Sequence, residues 1–142
     1  METKDSLSRF LKAQEGVYAQ AQAEIKKGRK TSHWMWFIFP QIQGLGHSET
    51  ARYYAIHDLE EATRYQAHPV LGKRLVEIST ILLHHPATSA VEIFGTVDSL
   101  KLHASMTLFS LQEHAHPVFK QVLDVFYAGK RDAKTVALLQ EG

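Results

Sequence analysis

Helix-start and helix-stop signals recur at short intervals along this chain, and they constrain its fold more than any other feature. Asp58-Leu-Glu-Glu61 and Ser89-Ala-Val-Glu92 are capping-box patterns: the first side chain accepts from first-turn N–H groups while the glutamate reaches back. His68-Pro69 and His116-Pro117 place a proline at a first helical position, where its missing N–H has no helical partner to lose. Gly28, Gly95 and Gly129 follow helical stretches as stops. No Asn-Gly or Asp-Gly hairpin signal intervenes. Caps this close together leave room for short helices and short connections. They predict an all-α fold, a single compact domain of packed short helices over residues 1–142 with its core at about 6–139.

Between these marks the apolar spacing is helical. Leu7, Phe10 and Leu11 share one face after an Asp5/Ser6 cap, and Val17, Ala21 and Ile25 form a stripe along residues 17–27. Ser48 is expected to cap a helix carrying Ala51, Tyr54 and Ala55. Leu71, Leu75, Ile78 and Leu82 recur at helical spacing over 70–83. A broad apolar face from Leu100 to Leu111 follows Asp98. Val118, Val122, Val125 and Phe126 are expected to point inward, and Asp132 to cap a last helix over 133–139.

Composition narrows the function classes. A chain of 142 residues, 44% hydrophobic and 22% charged, reads as a soluble globular protein. A net charge of +1 supplies no field that would gather nucleic acid or an anionic membrane. The absence of cysteine excludes disulfides, thiolate zinc sites and a cysteine nucleophile. Met1–Asp5 shows no secretory signal, and no apolar run is long enough to span a bilayer, so a cytoplasmic location is expected.

The densest stretch runs from Lys30 through His33-Trp-Met-Trp-Phe-Ile-Phe39 to Pro40-Gln41, then Gly44-Leu-Gly46. It contains both tryptophans. Ser32 can cap a short helix through Phe39, since Pro40 drives Phe39 out of the helical region; a strand is the competing reading. We assign Trp36 and Phe39 to the core, with His33, the Trp34 indole and Gln41 facing a pocket.

Further candidates suit an anion. Gly44-Leu-Gly46-His-Ser48 is a glycine loop entering a helix, so Gly46 and Ser48 are candidate ligand contacts. Asp98 and Lys101 are spaced i, i+3 at a helix start, with Ser105 one turn on, and Arg52 offers a guanidinium fork. The capping and solvated readings of these residues compete with the binding one. If the protein is an enzyme, His33 or Asp98 is the acid–base candidate. The nine histidines lack the i, i+4 spacing of a helical metal pair, so no metal site and no cofactor is expected. No Gly-x-Ser-x-Gly elbow is present. The expected function is a pocket for an anionic small molecule, nucleotides among the candidates, walled by the Trp34/Trp36 segment and the 98–109 helix. The alternative is a non-catalytic protein-interaction or structural module, with its protein partner unknown.

The same residues carry a family resemblance. Arg9-Phe10, Ala13-Gln14, Gly28-Arg-Lys30, Ser32-His-Trp-Met-Trp-Phe-Ile-Phe-Pro-Gln41, Gly44-Leu-Gly46, Tyr54-Ala-Ile56, Leu59-Glu-Glu-Ala62, Phe94-Gly95 and Ser105-Met-Thr-Leu-Phe109 resemble a bacterial domain family of unknown function. The resemblance spans about residues 9 to 139. It implies a mostly helical single domain and implies no activity. Members of that family sometimes carry the label "calpastatin". Such an inhibitor is a long polar chain that folds on its target, which this aromatic, capped sequence does not suit.

Overall fold

A computed structural model describes residues 6–141. Met1–Asp5 and Gly142 lie outside the described residues, and with them the Asp5 part of the first cap. The all-α expectation holds: ten helices and no strand are present among the described residues. They are α1 Ser8–Gln14, α2 Tyr18–Lys26, α3 Met35–Ile38, α4 Glu49–Tyr53, α5 Leu59–Ala67, α6 Leu71–Leu82, α7 Ala90–Phe94, α8 Thr96–Leu111, α9 Pro117–Tyr127 and α10 Ala133–Glu141.

Helix α8 is the axis, with α5, α7, α9 and α10 packed on it. Its stretch from Ala104 to Phe109 is buried on every side, as an interior helix requires. The polar groups carried inside are largely satisfied. Thr107 Oγ1 donates to His103 O at 2.8 Å and accepts from Asp132 N at 2.8 Å, which ties α10 to α8. Ser105 Oγ is buried with no partner. Helix α6 forms a second layer against α2, α5 and α9. Its stripe of Leu71, Leu75, Ile78 and Leu82 is buried as the spacing predicts. Each such side chain contributes about 2 kcal/mol by leaving water.

The caps form with two differences of detail. Ser89 and Glu92 close a complete box. Asp58 accepts from Glu61 N at 2.8 Å, but Glu61 reaches one residue further back, to His57 N at 2.8 Å. Arg9 lies 3.6 Å from the same Glu61 oxygen, so Oε1 is paired, while the buried Oε2 has no hydrogen-bond partner. His116 caps α9 ahead of Pro117, whereas α6 begins at Leu71, with His68 Nδ1 accepting from Val70 and Leu71 N–H. Val125 and Leu100, expected inside, are exposed.

Helices α5 and α6 meet at Gly72. A Cβ there would lie 1.7 Å from Gln66 O, so only glycine allows this approach. The Gln66 side chain in turn holds the turn after α8. Its Oε1 accepts from Gln112 Nε2 and His116 N, and its Nε2 donates to His114 O.

The aromatic run settles as one helical turn, α3, followed by extended chain. Ile42 and Ile56 form an isolated parallel bridge there, with Ile56 N donating to Gln41 O and Gln43 N to Ile56 O. This bridge fixes where the 43–47 loop leaves the body.

Candidate functional site

The site is built outward from one carboxylate. Glu24, near the end of α2, is buried, and the 31–34 segment wraps it. Thr31 N, Ser32 N and the Trp34 indole N–H donate to Oε1 at 2.8, 3.0 and 3.0 Å, and Ser32 Oγ donates to Oε2 at 2.6 Å. Burial alone would raise the pKa of this carboxyl. The hydrogen bonds from Ser32, Thr31 and Trp34 outweigh that and hold it at about 2. Trp34 is therefore pinned by its N–H. It is 1% exposed, tilts against Phe39 and meets Phe94 edge to face.

This corrects the division of labour expected within the aromatic run. Trp34, expected on a pocket wall, lies in the core. Trp36, expected in the core, is only partly buried and faces outward. The physical reason is the Glu24 acceptor, which offers a buried partner to the Trp34 N–H. Phe39 is fully buried, as expected.

Next to this anchor lies a row of charges. Lys30 Nζ is 2.8 Å from Asp98 Oδ2, and Lys101 Nζ is 3.3 Å from Asp98 Oδ1. The side chain of Lys30 is 7% exposed and that of Lys101 21%. Lys101 Nζ also sits 3.8 Å from the centroid of the Trp36 ring, a cation–π contact. Two ammonium groups thus share one carboxylate, and the more exposed one rests on an indole face.

Trp36, Gln41, Leu45 and Gly46 form a wall with a cavity on each side. The smaller, about 170 Å³, lies under the 41–47 loop and is bounded by Arg52, His47 and Tyr54. The larger, about 480 Å³, is a groove between α8 and the start of α10, lined by Val97, Leu100, Lys101, Ala104 and Lys134. Gly46 lets the loop descend onto the wall: a Cβ there would lie 2.6 Å from Ala51 Cβ and 3.7 Å from the Trp36 ring. Gln41 presents an amide whose Nε2 is buried without a partner.

The structure brings Gln41, Gly46, Arg52 and Lys101 around this wall, with Asp98 behind Lys101. It does not bring His33 there; that side chain is exposed and lines neither cavity. Ser48 accepts from Ala51 N at 3.1 Å as the cap of α4, and Ser105 is sealed inside α8. Trp36 and Leu100 lie in the two segments expected as walls, though each was expected to point into the core; Leu45, Val97 and Lys134 were not anticipated. The signal for part of the set was present: Val97, Leu100, Lys101 and Ala104 recur at i, i+3, i+4 and i+7, one face of α8.

Among the described residues no group of three or more His, Asp or Glu side chains is arranged to hold a metal ion, and no helix is long and apolar enough to cross a membrane. No curated protein matches the chain. Its fold is that of the conserved hypothetical protein Rv1873 from Mycobacterium tuberculosis, known from a crystal structure. The two are 46% identical with a TM-score of 0.92, over 94% of this chain and 96% of that one. The family described as "Protein of unknown function (DUF1810)" matches residues 4–139, and the chain belongs to that family.

Proposed function

We propose that this protein is a small helical binding domain for an anionic small molecule, held at the wall of Trp36, Gln41, Leu45 and Gly46. The observation that carries the reading is the pair of cavities flanking one wall, with Arg52 beside one and Lys101 beside the other. Arg52 forms no ion pair among the described residues, and Lys101 shares Asp98 with Lys30, so both retain capacity for an anion. The sequence reading left room for a nucleotide stacked on an indole. Lys101 occupies one face of the Trp36 ring, so a base stacking on that face would have to displace it.

A second reading is favoured by one observation. Val97 and Leu100 are each 65% exposed on adjacent turns of α8, as on a non-catalytic protein-interaction module. The balanced net charge argues against nucleic acid as the partner in either case. A cytoplasmic, bacterial setting fits both. The label "calpastatin" fits neither, because a buried core centred on α8 is the opposite of a chain that folds on its target.

The test is a thermal-shift panel of phosphates, nucleotides and organic acids. A binder of the native state raises the melting temperature by mass action. Lys101→Ala and Arg52→Ala should remove that rise while leaving the unliganded melting temperature nearly unchanged. A panel without a single binder would leave the interaction module as the standing reading.

A further inference from the structure

We infer that the larger cavity takes an amphiphilic organic acid, its apolar body along α8 and its acid group on Lys101. The inference rests on the binding-domain reading above and narrows it to one groove and one ligand class. Three observations point the same way.

The groove is apolar along its length. Leu45, Val97, Leu100 and Ala104 line it, and the two largest of the α8 side chains are left in water. A cavity of about 480 Å³ with apolar walls and a few polar groups is the usual form of a small-molecule site. Its apolar lining gives a phosphate or a sugar little to bind, but suits a hydrocarbon chain or ring.

The polar groups at its rim are biased to one sign. Lys101 and Lys134 line it with Asp132 and the neutral Gln41. The Asp132 carboxylate is turned away into α10, where Oδ2 accepts from Thr135 N at 3.1 Å and Thr135 Oγ1 at 2.6 Å. Asp98 is shared by two ammonium groups, so that cluster keeps one positive charge, and Lys101, the more exposed of the two, carries it to the groove. Lys134 forms no ion pair among the described residues.

The cation is also preorganised. Asp98 on one side and the Trp36 ring on the other hold the Lys101 ammonium, so less side-chain freedom is lost when an acid binds. A carboxylate satisfies the remaining donor with its body in the apolar part; a neutral analogue leaves that charge unanswered.

The experiment uses the full chain and four probes: octanoate, 1-octanol, inorganic phosphate and AMP, followed by tryptophan fluorescence and calorimetry. Trp36 reports on the groove, while Trp34 is sealed in the core. Octanoate should bind, and 1-octanol should bind more weakly by about tenfold or more, the factor expected for losing a hydrogen bond to a charged group. Lys101→Gln should weaken octanoate by a similar factor without affecting octanol. Leu100→Asp, at an exposed position, should abolish binding of both while the circular dichroism spectrum is retained. Equal binding of octanoate and octanol would overturn the inference, reducing the groove to a greasy surface. AMP or phosphate binding through Lys101 without octanoate would also overturn it, yet leave the broader binding reading intact. No binding by any probe would sink both. Concentration-dependent dimerisation in sedimentation, removed by Leu100→Asp, would show the groove covered by a second copy and overturn it as well. Binding of a Leu- and Glu-rich helical peptide where octanoate does not bind would put a protein partner in place of the small acid, and the inference would fall.

Discussion

Trp34 and Trp36 stand two positions apart and live in opposite surroundings. Trp34 gives its N–H to a buried carboxylate and packs among aromatic rings. Trp36 stands between two cavities with a lysine on its face. Around the first, both Glu24 oxygens are answered. Around the second, Gln41 keeps an unpartnered buried amide nitrogen and Arg52 has no ion-pair partner among the described residues. Saturation marks the part of the turn that holds the fold, and unfilled capacity marks the part that can hold something else. One short helical turn does both because positions two residues apart on it point to nearly opposite sides.

Four measurements would break or sharpen that contrast. The largest effect should come from Trp34→Ala, about 3–5 kcal/mol of stability in urea titration, as for other buried aromatic deletions. Trp36→Ala should cost clearly less, about 1–2 kcal/mol for a half-buried ring with one cation–π contact. Equal losses would erase the distinction.

Next comes Glu24, whose folded pKa of about 2 lies below its ordinary 4.5. A depressed carboxyl contributes stability that is present above about pH 4.5 and lost as the pH falls toward 2. At neutral pH that contribution is on the order of 1–2 kcal/mol once solvent screening is allowed for. Glu24→Gln should remove most of it, so the stability gap between parent and variant should close over that interval. A gap independent of pH would mean that the ionised carboxylate is not what holds the 31–34 segment.

Lys30→Ala should destabilise by about 1–2 kcal/mol, because it leaves a half-answered Asp98 beside the core. Lys101→Ala should cost below about 1 kcal/mol, the range of exposed ion pairs, while removing ligand binding. The reverse order would make Lys101 the structural cation. The smallest effect belongs to His33→Ala, within about 0.5 kcal/mol and without influence on binding or on any activity found. A loss of function there would restore the acid–base role considered from the sequence.

How much was legible depended on the range of the interaction. Caps, the Pro117 start and the α6 stripe were readable because they are local: Ser89 meets Glu92 and His116 meets Val118 within a turn. The orientation of the aromatic run was not. It turns on Glu24, which sits among helix-forming residues in an unremarkable stretch of α2 and meets Trp34 only after Gly28 reverses the chain. Lys30 and Asp98 likewise meet from distant parts of the sequence. Arg52, Lys101, Gln41 and Gly46 were singled out from residue chemistry, and the fold places them around one wall; His33 was singled out in the same way and is placed elsewhere.

The contact at Gly72 has a mechanical meaning. Gln66 is gripped at both ends: its carbonyl oxygen touches the Gly72 backbone, and its amide clamps the turn that links α8 to α9. A methyl group at position 72 would act as a wedge on one arm of a lever whose other arm ends at that turn. Displacement at α5 and α6 would pass to the end of α8 remote from Val97 and Lys101. The Gln66 clamp and the open groove therefore sit toward opposite ends of the same helix, and α8 is the beam that connects them.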